Sequence, residues 1–239
     1  MSETPSDPSM PDMPRDAERS RGRYVRLRDG KPTGMDERFV LGEIAPGVVR
    51  IRSTLIKPSP VGKLETDVRR SAGSTELSVR WVGASDQAVR DADGHYTSAD
   101  GVVSGSWRID GQQYPEATAP GILDPSILIM KGLYVATGRV GVALVMPDEA
   151  DPADPGRFLS LLAVTATSTV IGELGVEVDG VVRHGISYRW EVAGVGPDVV
   201  VDRGGLLLNQ IIETPDGTVH EARLAEVTGP WPRPLDWPV

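Results

Sequence analysis

Six Asp-Gly dipeptides punctuate this chain, at Asp29-Gly30, Asp93-Gly94, Asp100-Gly101, Asp110-Gly111, Asp179-Gly180 and Asp216-Gly217. Asp and Gly tolerate the positive φ angles of tight hairpin turns, so the pair between two extended runs signals antiparallel pairing. Such runs flank most of them. Residues 23–28 (RYVRLR) lead into Asp29-Gly30, and residues 36–43 (DERFVLGE) follow it. Further extended runs cover 47–57, 63–70, 75–83 and 102–109. After residue 138 the pattern resumes over 139–146, 157–170, 173–178, 181–192, 205–213 and 218–227. The 239 residues include 27 glycines and 20 prolines, about a fifth of the chain. Breakers at that density exclude helical bundles and coiled coils.

Between the two halves lies one helical signal. Asp124 is placed as N-cap and Pro125 at the first helical position, where its missing N–H costs nothing. The run SILIMKGLYVAT that follows carries a single charge, Lys131, and Gly138 can close it in a left-handed cap. A helix apolar on most sides belongs in the interior. About eleven strands in antiparallel succession cannot stay open and flat, because a sheet must hide its edges. The expected fold is therefore mainly β: a strongly curved antiparallel sheet or β-barrel wrapped around one buried central helix, at about 124–137. Residues 1–22, rich in Pro, Ser and acids, read as a disordered tail. A single domain spans 23–229. The final PWPRPLDWPV (230–239) is too proline-rich for regular structure, and Trp231 and Trp237 are expected to pin it on the domain.

The order of Asp-Gly hairpins, LDPSILIMKGLY helix, long meander and final ETPDGTVHEARL hairpin resembles bacterial proteins with the lipoprotein-carrier type of fold. That resemblance spans roughly residues 23–227 in pattern, and no diagnostic residue carries over. It implies a half-barrel holding a lipid or other apolar ligand between a concave sheet and a helix plug. Members of that group are typically exported, whereas residues 1–22 lack the apolar core of an export signal.

Charge and composition remove several function classes. The formal net charge is −9, which repels phosphate backbones, so no nucleic-acid partner is expected. Arg19, Arg21, Arg23, Arg26 and Arg28 cluster, but among acids, as on a solvated or edge strand. No apolar run approaches about 18 residues, so no membrane span is expected. The chain has no cysteine, which removes disulfides, thiolate nucleophiles and cysteine-based zinc sites together, and suits a reducing cytoplasm. His95, His184 and His220 lie far apart without metal-binding spacing. The acidic run Asp148, Glu149, Asp151 and Asp154 is broken by Pro152 and Pro155, unlike a calcium loop. The lone Gly194-Val195-Gly196 runs into Pro197 where a dinucleotide-binding helix would start, and no phosphate loop or serine-hydrolase elbow occurs. No cofactor or metal is expected.

Aromatic residues make up only 5% of the chain, so those on apolar faces stand out. Side chains alternate along a strand. In 183–192, His184, Ile186, Tyr188, Trp190 and Val192 share a mainly apolar face that should point inward. An imidazole and a phenol there need partners or a role. Either they are a hydrogen-bonded core histidine and a rim tyrosine, or His184 and Tyr188 line a cavity as acid–base groups. Glu116, after Pro115, is a further acid–base candidate or a surface-loop residue. Trp107, Tyr114, Tyr134 and Trp190 are the candidate ligand-contacting aromatics.

Three functions compete. The first is a cytoplasmic module binding a hydrophobic small molecule (lipid, terpenoid or polyketide-like) between sheet and helix. The second is a cofactor-independent isomerase, cyclase or lyase acting on such a ligand, with His184 as acid/base and Tyr188 or Glu116 assisting. The third is a scaffold with a filled interior. Exposed sheet edges leave a homodimer open as well.

Overall fold

The computed structural model describes residues 18–58, 61–84, 89–124, 127–137, 141–144, 155–192 and 196–229. Eight strands open the described chain: β1 (Glu18–Arg28), β2 (Lys31–Ala45), β3 (Val48–Pro58), β4 (Val61–Ser71), β5 (Ser74–Gly83), β6 (Asp91–Ala99), β7 (Val102–Ile109) and β8 (Gln112–Gln113). A middle stretch holds β9 (Ala117–Pro120), β10 (Ile122–Asp124), helix α1 (Leu128–Thr137), β11 (Gly141–Leu144) and β12 (Leu161–Val164). Five strands close it: β13 (Ala166–Val178), β14 (Val181–Val192), β15 (Asp198–Asp202), β16 (Leu207–Glu213) and β17 (Val219–Thr228).

The expected mainly β architecture is present as one curved antiparallel sheet that does not close into a barrel. Strands β1 to β8 are hydrogen-bonded in chain order, and so are β13 to β17. The two runs are joined in the middle of the sheet by β17 pairing with β1, from Arg28↔His220 to Arg21↔Thr228. β9 turns back to pair with β7, and β10, β11 and β12 form a small separate sheet.

Four Asp-Gly pairs make the expected two-residue turns. Asp29, Asp100, Asp110 and Asp179 have φ of 46–51°, and the following glycines 72–84°. Both central residues are left-handed, which matches the twist of the flanking strands. In the fifth, only Gly217 is left-handed, and Asp216 instead accepts from Thr214 Oγ1 and the Thr218 amide. The sixth is not a turn. Asp93-Gly94 lies inside β6, and Gly94 serves a neighbour: a Cβ built there, or on Gly105 across the β6–β7 pair, would collide with the Tyr96 ring. Gly62 is bare in the same way under the Trp81 indole. Scarce, large rings thus lie flat over glycines of the sheet, the arrangement by which aromatic rings shield strand glycines.

The inner face is built from cross-strand rungs. Ser20, Leu41, Ile51, Val68, Leu77 and Tyr96 pair in succession across β1–β6, and all six are buried. Strand β1 starts at Glu18, and Ser20 and Gly22 are buried, so extended structure begins before residue 23, where the sequence predicts a disordered tail. Gly22 is buried because its missing side chain admits Phe39. The residues expected as a C-terminal tail, 230–239, lie outside the described residues, as do residues 1–17.

Against this face packs the middle stretch. Ile127, Leu128, Ile129, Met130 and Val135 of the helix region are buried, as expected of so apolar a helix. Gly132 lets it approach the β15–β16 turn, where a Cβ would meet the Gly205 carbonyl. Further on, Phe158 sets its ring edge-on to Trp81 at 5.9 Å. The helix begins at Leu128, four residues after the expected cap. Asp124 belongs to β10 instead, paired in parallel with Ala143, so its backbone is committed to a strand. Pro125 and Gly138 lie outside the described residues.

Candidate functional site

The chemistry-bearing interior centres on Glu37. It lies on β2 in the alternation Met35, Glu37, Phe39, Leu41, which places it on the inner face, and it is 1% exposed. One carboxylate oxygen, Oε1, accepts from Ser53 Oγ at 3.3 Å and from the Leu128 amide at 3.0 Å. Glu37 therefore performs from 91 residues away the capping expected of Asp124, satisfying an orphan donor at the helix start. A negative group there also suits the helix dipole. Its second oxygen, Oε2, is buried without a hydrogen-bond partner. Burial pushes the Glu37 carboxyl upward, opposed by the charge of Arg26, the Leu128 and Ser53 hydrogen bonds and the charge of Lys131.

Beside it, Tyr24 is fully buried and donates to the Leu207 carbonyl at 3.0 Å. Its ring lies 5.6 Å from Phe39. Burial holds the Tyr24 phenol well above its ordinary range, with the charges of Glu37 and Asp202 adding to the effect. The site thus keeps a phenol firmly protonated next to a carboxyl whose charged form is penalised.

Two more inner-face residues reach the middle stretch. Tyr96 donates to the Leu159 carbonyl at 2.7 Å, and Trp107 Nε1 donates to the Gly156 carbonyl at 3.3 Å. Trp107 stacks on Tyr114 with ring centroids 5.9 Å apart and planes 7° from parallel. Gly156 packs against that tyrosine so closely that a Cβ would strike its ring. Two expected ligand-contacting aromatics are therefore brought together, and they grip the chain's own 155–157 turn.

The other sequence candidates are dispersed. Trp190 is 6% exposed and Tyr188 half-buried, on the inner side of β14 as expected. His184 is exposed, contrary to the inward placement read from its alternation. β15 pairs only with Gly185 to Arg189, so the hairpin continues past its neighbour, and beyond that point the opposite face, at Val176 and Val178, is the buried one. Glu116 is exposed between β8 and β9, at the other end of the strand order from β14. The Tyr134 side chain lies outside the described residues, as do Asp148, Glu149, Asp151 and Asp154. Among the described residues no group of His, Asp and Glu could hold a metal ion. No helix among them is long and apolar enough to cross a membrane.

Sequence reading passed over Glu37, although its signal was present: an acid in register with Phe39 and Leu41. Such an acid on an apolar strand face has to find partners indoors.

The fold and this interior define a curved, open antiparallel sheet with an internal helix-bearing segment. No protein-family profile matches the chain, and no curated protein does. Among solved structures it is similar to MucB, as seen in the crystal structure of MucB in complex with MucA(peri), at 14% identity and a TM-score of 0.33. The match covers 92% of this chain and 54% of that one, so the chain spans about half the length of MucB. At that TM-score the likeness has no bearing on function.

Proposed function

We propose that this protein binds an apolar small molecule, of lipid, terpenoid or polyketide-like character, between the curved sheet and the segment lodged against it. The observation that carries this reading is how that segment is attached. The described residues between 122 and 164 meet the sheet with buried apolar side chains such as Leu123, Met130 and Phe158. Glu37, Tyr96 and Trp107 of the inner face each add a hydrogen bond to the backbone of this segment. Apolar contact is non-directional, so a ligand's apolar surface can stand in for part of it. Trp107, Tyr114, Tyr134 and Trp190 are the proposed ligand contacts.

Native mass spectrometry of protein from its own host tests the reading, followed by identification of extracted ligand and a thermal-shift panel of lipids and terpenoids. A retained mass released by organic solvent, with a shift from a related compound, is expected. No retained mass and no shift across the panel would overturn it in favour of a scaffold. The enzymatic alternative needs His184, Tyr188 and Glu116 to converge, and the exposure of His184 and Glu116 lends it no support. A cytoplasmic setting belongs to the same proposal, supported by the absence of cysteine.

A further inference from the structure

At the hairpin end of the sheet lies an open cleft of about 260 Å³, with Ile122 of β10 on one side. Strand register decides what lines its floor. Thr75 of β5 pairs with Ser98 of β6, so the two side chains stand about 5 Å apart on the inner face. One rung further in, Leu77 pairs with Tyr96, and both are fully buried. Thr75 and Ser98 are only 6% and 8% exposed, yet neither hydroxyl has a hydrogen-bond partner among the described residues. Neither oxygen is sealed off, so the little access each keeps is to the cleft it lines. Two hydroxyls held nine-tenths buried and unpaired are costly unless something in the cleft bonds them. On the adjoining turn, Asp100 brings a carboxylate to the rim, also unpaired among the described residues.

We propose that this cleft binds a small neutral polyol, its hydroxyls held by Thr75, Ser98 and Asp100. A serine or threonine hydroxyl both donates and accepts, whereas a carboxylate only accepts. The ligand group that answers both is another hydroxyl, and two hydroxyls of one polyol can span the gap between Thr75 and Ser98. Ser71 and Ser74 also line the cleft and share a hydrogen bond of 2.7 Å, each with bonding capacity left over. An anion suits the site less well. Arg70 is the one cation lining it, but Arg70 already has a partner and its Nη1 is buried. A cation would meet a single acid, Asp100, which is exposed and screened by water. Ile122 and Ala99 offer an apolar wall to the carbon side of a polyol, and the volume is many times what one water needs. This site is independent of the apolar ligand proposed above and stands or falls without it.

Titrating the full chain with glycerol, glucose, octyl glucoside below its micelle threshold, 1-propanol and acetate, followed by the amide NMR signals of Gly73, Ser98 and Gly101, tests the proposal. Saturable shifts confined to the cleft amides are expected from glycerol and glucose. Propanol matches glycerol in carbons but has one hydroxyl, and should bind at least about fivefold more weakly, with acetate giving no shift. Octyl glucoside binding more tightly than glucose marks a glycolipid headgroup as the source of the polyol, and equal or weaker binding marks a free one. Thr75→Val, which keeps the shape and removes the hydroxyl, should weaken binding about fivefold, and Ser98→Ala likewise. Should Thr75→Val fail to fold, Ser98→Ala alone decides. Asp100→Asn, which tolerates the same left-handed turn, should weaken binding less because it keeps an acceptor oxygen. Absence of saturable shifts from every polyol would overturn the assignment. So would shifts that persist unchanged in the Thr75 and Ser98 variants, or propanol or acetate binding as well as glycerol.

Discussion

The carboxylate of Glu37 accepts the backbone amide of Leu128 at 3.0 Å, so a side chain in the second strand caps the start of helix α1. Fold and candidate site meet in this contact, because the helix is part of the segment that covers the inner face.

Removing the side chain should be costly. Glu37→Ala leaves the Leu128 amide and the Ser53 hydroxyl without their acceptor and opens a cavity, a loss of about 2–4 kcal/mol. Glu37→Gln keeps an acceptor oxygen and removes a buried charge, so it should cost at least about 1 kcal/mol less. Urea unfolding of the two variants beside the parent chain gives both numbers; equal losses would mean that the cap contributes nothing beyond its charge.

The same residue makes a prediction about pH. Burial raises the Glu37 carboxyl above its ordinary 4.5 in the folded chain, so the folded state holds this proton more tightly than the unfolded one. The associated stability is complete below pH 4.5 and is lost as pH rises through the folded-state value. Relative to Glu37→Gln, the parent chain should therefore weaken as pH climbs through that window and then level off. Taking the difference between the two proteins cancels the other carboxylates, and a difference that grows in the opposite direction contradicts the assignment.

Two glycines outside turns should respond oppositely to alanine. Gly105→Ala drives a methyl into the Tyr96 ring, which is itself held by the Leu159 carbonyl, and should lose about 1–3 kcal/mol. Gly172, in β13, has nothing within 4 Å of a new Cβ and no left-handed φ. Gly172→Ala should be neutral or stabilise by up to about 1 kcal/mol. Thermal and urea unfolding of the pair decide the matter.

Asp216 should titrate unusually low. Thr214 Oγ1 and the Thr218 amide donate to its carboxylate, holding it at about 2 against an ordinary 3.8. The stabilisation it gives the turn is present above pH 3.8 and fades as pH falls toward 2. Carbon-detected NMR titration should place its midpoint near 2, and Thr214→Val should move it back toward 3.8.

Much of the sheet was legible in the sequence because hairpin turns are local: four Asp-Gly pairs needed only their own φ preferences to specify a turn. Asp93-Gly94 misled because its glycine answers to Tyr96, two residues on and also packed on the next strand. The helix start misled for a similar reason, since Asp124 is held in a strand and the acceptor at the helix start comes from Glu37, distant in sequence. His184 followed the alternation of its strand faithfully, but alternation only says which side chains share a face. Which face is buried depends on how far the neighbouring strand extends, and β15 stops at Asp202 opposite Gly185.

The seam between β17 and β1 sets a schedule for the nascent chain. Val219 donates to the Asp29 carboxylate across 190 residues of sequence. At about 5–20 residues per second, β1 waits roughly 10–40 s on the ribosome before its second partner has been made. Throughout that interval the first half presents a long strand edge to any neighbouring nascent chain able to donate a copy of β17. The delay makes polysomes, where copies of this chain lie side by side, the setting in which strand exchange between molecules competes with correct closure.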